Sequence, residues 1–249
     1  MIPIGDSVRS RSFPYVNVAL IAINFLVFFY EIALSQDTIS RNVTELDRFI
    51  REWGNIPACT FDAFGRDVHL SPVGRVICEQ QSQPAFTAIT AMFIHGGWLH
   101  VIGNMLFLWI FGDNVEDTFG HLRYGIFYAV AGVIAGFSQA FTDIEGLTPA
   151  IGASGAVAGV MGAYIVLFPR ATVIALVPFF FFVPFAVPAA VLIGIWFLMQ
   201  LFSGVSSLGV DAVGAGGGVA YFAHIGGFVA GLALVHVFAL GRPRRRVRT

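Results

Sequence analysis

Six separate stretches of the chain are apolar over the length of a helix, and short polar connections divide most of them. Nothing constrains this sequence more. The runs cover about 14–34, 97–113, 122–141, 154–168, 173–202 and 220–240. Their length fits membrane-crossing helices, and they lack the ten-residue alternation of an outer-membrane barrel. Only 12% of the 249 residues are charged, against 57% hydrophobic, about half the charge of a soluble domain. The expectation is an all-α integral membrane protein: a six-helix bundle forming a single domain over 1–249, with no internal repeat. No short apolar core is followed by a small-residue cleavage site, so the first run is expected to stay as a signal anchor.

Charge placement orients the bundle. All 14 basic residues are arginine. Arg9 and Arg11 precede the first run, Arg123 lies between the second and third, Arg170 between the fourth and fifth, and five more fall in the tail 241–249. The connections 142–153 and 203–219 hold none. By the positive-inside rule both termini, including the segment 1–13, are cytosolic, and the odd-numbered loops face outward. The long loop 35–94 translocates regardless of its charge and has room for short amphipathic helices. Its two cysteines, Cys59 and Cys78, can pair in an oxidising compartment or remain as buried or free thiols. The tail arginines mark topology and contact anionic lipid; nucleic acid is not expected as a partner.

With that topology, polar residues on three helices share one depth under the outer face. His100 and Asn104 lie on the second run, Ser154 starts the fourth, and His224 lies just inside the sixth. Buried polar groups in a bilayer are costly and usually face one another or a water-filled cavity. The fourth run is short: about 15 residues from Ser154 to Pro169 reach roughly 22 Å, less than a bilayer core of about 30 Å. Gly155 and Gly159 on one helix, and Gly227 and Gly231 on another, provide small-residue faces through which Ser154 and His224 can approach. A serine becomes a nucleophile when a neutral histidine takes its proton, and the resulting oxyanion needs donors. The Ser154 amide at a helix start, Asn104 and His100 are candidates. No carboxylate in the runs lies near His224, so the expectation is a dyad. His95 and His100 suggest a metal only weakly, since no thiolate, carboxylate or HExxH accompanies them. No cofactor is expected.

HGGWLHVIGNMLFLWIFGDNVED (95–117), GASG (152–155) and AHIGGFVAG (223–231) together resemble the three signature blocks of the rhomboid intramembrane serine proteases. The resemblance implies Ser154 as nucleophile, His224 as base, and His100, Asn104 and the Ser154 amide as oxyanion hole. His95, Glu116, Gly152, Gly155, Gly227 and Gly231 become supporting positions. It also implies transmembrane proteins as substrates, with a small residue before the cut, and membrane lipids as surroundings. Some bacterial members carry a tyrosine four residues after the serine, packed on the histidine; here Ala158 stands there. The expected location is a bacterial or archaeal cell membrane. Two other readings compete: a non-catalytic scaffold binding membrane proteins, and a small channel lined by His100, Asn104 and His224. Span five, with Pro178, Pro184 and Pro188, is expected to be kinked and loosely packed, a candidate lateral gate.

Overall fold

The computed structural model of the protein describes residues 2–40, 43–177, 183–207 and 219–241. Strand β1 (Ile2–Asp6) precedes helix α1 (Tyr15–Leu34). A small hairpin, β2 (Thr38–Ser40) and β3 (Val43–Thr44), opens the long loop. That loop carries α2 (Glu45–Trp53), α3 (Pro57–Ala63), α4 (Pro72–Glu79) and the single turn α5 (Thr87–Thr90). Helices α6 (Trp98–Phe119), α7 (His121–Ala140) and α8 (Ser154–Leu167) follow. Next come strands β4 (Thr172–Val177) and β5 (Val183–Pro188), then α9 (Ala189–Ser207) and α10 (Tyr221–Phe238).

Three helices, α1, α9 and α10, are long and apolar enough to cross a membrane. A fourth span results if Pro84–Phe93 and Trp98–Phe119, bent by 83°, count as one broken element. α8 is a shorter apolar helix. The burial pattern of α1 inverts that of a water-soluble helix: it buries Asn17, Asn24 and Glu31 while Leu26 and Phe29 point outward. Such an arrangement suits a lipid surround, where apolar side chains face the tails and polar ones face protein.

α8 sits at the centre. Every residue from Gly155 to Tyr164 is buried, which explains why this helix is apolar all round. It packs most closely on α10. A methyl group at Gly227 or Gly231 would collide with the carbonyl oxygen of Gly155 or Gly159, and one at Gly162 with that of Phe228. The two helices are therefore in backbone contact, as the glycine spacing suggests. Around them, Phe111, Phe119, Tyr124, Phe127, Tyr128 and Tyr164 fill the core with α6 and α7.

Two expectations are corrected. The fold is not all-α, because Thr172–Val177 and Val183–Pro188 within the fifth apolar run pair antiparallel as β4 and β5, and β1 joins them antiparallel to give the order β1-β4-β5. The helical part of the run begins only at Ala189. TVIALV is a β-branched apolar run, and Pro184 and Pro188, without N–H groups, fit the edge strand β5. Pro3 lies on the opposite edge. α6 also continues to Phe119 instead of ending near Asn114, because its acidic last turns have partners. Glu116 accepts the Val16 and Asn17 N–H groups at 3.0 and 2.7 Å, capping the start of α1. Asp117 accepts from the N–H of Arg11 and of Ser12. The expectations placed on Pro178, on the glycine-rich stretch after Ser207 and on the arginines beyond Gly241 lie outside the described residues.

The long loop is held together by a Cys59–Cys78 disulfide, which settles the alternative in favour of pairing. Its helices start in recognisable ways: Thr44 and Asp47 form a reciprocal capping box on α2, and Ser71 caps α4.

Candidate active site

Ser154 is the first residue of α8, and the turn before it depends on Gly152, whose φ is +120°. A side chain there would be strained, and its Cβ would lie 2.6 Å from Nε2 of His100. Gly152 therefore lets His100 approach the serine, whose Oγ lies 3.7 Å from the same Cβ position. The Gly152 N–H donates to Ala91 O at 2.8 Å, which fixes the turn to the end of the first loop.

His224 lies one turn into α10. Gln139 of α7 caps that helix, its Oε1 accepting the N–H groups of Phe222 and Ala223 at 3.1 and 3.3 Å. The imidazole Nε2 lies 2.7 Å from Ser154 Oγ, within normal O–H···N reach. Its other nitrogen, Nδ1, lies 2.7 Å from Oε1 of Gln200 on α9. Its ring lies beside that of Trp196, with centroids 5.6 Å apart and planes at 38°.

On α6, His100 and Asn104 are one turn apart and line the same cavity as Ser154 and His224. The Gly96 N–H donates to His100 Nδ1 at 3.3 Å, so Nδ1 is the acceptor and Nε2 carries the proton. That proton is directed at the Gly152 turn. Asn104 is buried, and its Nδ2 has no hydrogen-bond partner among the described residues. A buried, unpartnered NH2 group beside a cavity is costly unless something in the cavity accepts from it. The cavity measures about 620 Å³, and its apolar wall is formed by Phe107, Val157, Met161 and Trp196.

The structure thus brings Ser154, His224, His100 and Asn104 to one cavity, with Gly152 in the turn that precedes Ser154. Gly155, Gly227 and Gly231 lie in the α8–α10 seam that holds Ser154 near His224. His95 lies behind His100, the two rings edge-on at 5.0 Å, and its backbone N–H donates to both Glu31 oxygens at 3.2 Å. Glu116 is elsewhere: 12 residues beyond Asn104, it is roughly 18 Å along α6 from the cavity. There it meets His121 Nδ1 at 2.5 Å. Among the described residues no group of three or more His, Cys, Asp or Glu side chains could hold a metal ion.

Gln200, Trp196 and Glu31 are absent from the sequence reading. A signal for two of them existed. Gln200 is the lone amide in the otherwise apolar stretch 189–202, and Glu31 is the lone charge in the first span. An isolated polar residue in a span is by default a functional candidate.

A family model described as "Rhomboid domain" matches residues 82–240, which include all the cavity residues named above. Among curated proteins the chain is similar to RHOMBOID-like protein 1 of Arabidopsis thaliana, 31% identical over 156 residues, 62% of this chain and 34% of that protein. It is similar to the mitochondrial Rhomboid protein 1 of Saccharomyces cerevisiae, 31% identical over 153 residues, 58% of this chain and 39% of that one. It is also similar to Rhomboid protease GlpG of Haemophilus influenzae, 33% identical over 85 residues, 34% of this chain and 42% of that one. The match therefore spans less than half the length of each relative. With plant, mitochondrial and bacterial proteins among them, the relatives give no support to a specifically bacterial or archaeal membrane; they support an integral, multi-pass membrane protein.

Proposed function

The chain belongs to the rhomboid family, and on that premise we propose that it is an intramembrane serine endopeptidase cutting transmembrane segments of other membrane proteins through a Ser154–His224 dyad. The observation that carries this reading is the 2.7 Å contact between Ser154 Oγ and His224 Nε2, facing a cavity that also holds the unpartnered Asn104 amide. In the proposed reaction His224 takes the Ser154 proton as Oγ attacks the scissile carbonyl. The Ser154 N–H, Asn104 Nδ2 and the protonated Nε2 of His100 receive the oxyanion. His224 returns the proton to the leaving amine, and water then releases the acyl group from Ser154.

The wider setting is part of the same proposal. Six helices cross the membrane: α1, α6, α7, α8, α9 and α10, with both termini cytosolic and the disulfide-bonded loop on the outer, oxidising side. The whole chain acts as one domain. A substrate helix enters between α6 and α9, whose Phe107 and Trp196 both line the cavity. The apolar wall suits a small residue before the cut.

The test is fluorophosphonate labelling of the detergent-purified chain, with cleavage of a reconstituted transmembrane reporter. Wild type is expected to take one label on Ser154 and to cut the reporter; Ser154→Ala and His224→Ala do neither. A folded wild type that takes no label and leaves the reporter intact would make the non-catalytic scaffold the better reading.

A further inference from the structure

His224 touches α9 twice, through Gln200 and through Trp196, and these two residues are one turn apart on that helix. A carbonyl oxygen can only accept, so the 2.7 Å contact to Gln200 Oε1 places the imidazole proton on Nδ1 and leaves the Nε2 lone pair toward Ser154. That is the tautomer a general base requires. The reversed amide would donate to Nδ1, move the ring proton to Nε2 and leave nothing to accept from Ser154. The Trp196 ring lies beside the imidazole, with centroids 5.6 Å apart. The groups that face the His224 ring are Ser154 of α8, His100 of α6 across the cavity, and Trp196 and Gln200 of α9.

We propose that Gln200 is the positioning residue of this site: its side-chain carbonyl holds His224 in the Nδ1–H tautomer with the ring plane aimed at Ser154, so the working unit is Ser154–His224–Gln200. The proposal rests on the reading of Ser154 and His224 as nucleophile and base. It assigns Gln200 no contact with substrate. An orienting acceptor on the far nitrogen is how serine–histidine pairs are generally held, and a neutral amide performs that task without placing a carboxylate in the span.

The decisive comparison uses the full chain in nanodiscs: wild type, Gln200→Leu and Gln200→Glu, each checked for an unchanged melting temperature. Gln200→Leu is expected to lower kcat for reporter cleavage by about ten- to a hundred-fold, the scale of one lost orienting hydrogen bond, with little change in KM. Gln200→Glu restores most of kcat and moves the acid limb of the kcat/KM profile to higher pH, because a carboxylate at Nδ1 stabilises the imidazolium. A residue that merely packs α9 would not move the pH profile. Nitrogen-15 NMR of labelled histidine supplies a readout independent of turnover: His224 is Nδ1–H in wild type and loses that preference in Gln200→Leu. An active wild type whose Gln200→Leu variant keeps full kcat overturns the proposal, and so does an Nε2–H tautomer in wild type. A wild type that takes no fluorophosphonate label overturns the protease reading instead, and the NMR result then decides the positioning role.

Discussion

Asn55 and Ala150 exchange both backbone hydrogen bonds, Asn55 donating at 3.1 Å and Ala150 at 2.9 Å, so the first loop is stitched to the segment that leads into Ser154. Nearby, Ala58 donates to Gly146 O at 3.1 Å, and the Asn55 side chain accepts from Thr60 at 2.8 Å. Cys59 lies within this brace, and its disulfide to Cys78 ties α3 to α4.

Reducing that disulfide is therefore expected to cost both stability and activity. A crosslink closing a loop of this length, 19 residues, is worth about 3 kcal/mol. A Cys59→Ser/Cys78→Ser variant should melt at lower temperature and label Ser154 more slowly at temperatures where it remains folded. Equal labelling rates with and without reductant would show that the brace does not reach the site.

Removing one oxyanion donor should leave binding largely intact and slow the chemistry. Asn104→Ala and His100→Ala are each expected to lower kcat by roughly 10²–10³ with modest changes in KM. Steady-state cleavage of a transmembrane reporter checks this. A fall in affinity with kcat unchanged would return Asn104 to a packing role.

Gly231→Val attacks the site from a distance. Its side chain would be forced onto the Gly159 carbonyl, and a backbone atom cannot rotate away. The expected destabilisation is about 1–3 kcal/mol or more, with loss of fluorophosphonate labelling as Ser154 and His224 separate. Thermal melting and labelling of the same sample test both effects.

α9 presents Leu198, Met199 and Phe202 outward and meets α10 through Phe197, whose ring stacks on Phe228 at 4.4 Å. Bridging a Phe197→Cys/Phe228→Cys pair with a short thiol crosslinker pins α9 in its docked position. The small probe should still label Ser154, while cleavage of a transmembrane reporter falls. Undiminished reporter cleavage in the bridged protein would sink the gate.

Burial pushes the Asp6 carboxyl up to about 6, and Asp113 adds to the shift against the opposing hydrogen bonds of Tyr164 and the Val8 N–H. The folded protein thus holds a proton that the unfolded chain releases near pH 4. The corresponding stability is complete below that pH and is lost as pH rises through about 6. Melting temperature should fall across that window in wild type, and Asp6→Asn should flatten the fall. An identical slope in the variant would place the proton elsewhere.

The legible parts of the sequence were those in which polar groups interrupt helix-length apolar runs. His100, Asn104, Ser154 and His224 stand out because an apolar helix gives them no other reason to be there. The glycine pairs could be read for the same kind of reason, as a backbone approach needs residues without side chains. The strand pair β4–β5 was not legible, because a continuous apolar run has no period to separate strand from helix. Pro184 and Pro188 pointed toward an edge strand as readily as toward a kink. Gln200 escaped notice since its partner, His224, lies 24 residues away on the next helix, and no spacing rule links them. Pairings of that kind belong to tertiary packing alone.

The strand β1 has a partner 165 residues further on, where Ser7 and Thr172 exchange hydrogen bonds at the end of the β1–β4 ladder. During synthesis α1 leaves the ribosome long before β4 exists, so residues 2–6 must wait unpaired beside the membrane. Contacts of such long sequence separation form late and slowly. Asp6, which accepts from Asn114 at 3.2 Å and from Tyr164, can occupy its position only once α6 and α8 are in place. Closure of this strand therefore requires α6, α8 and β4 together: the central helix that begins with Ser154 is anchored through Tyr164 by a segment made long before it.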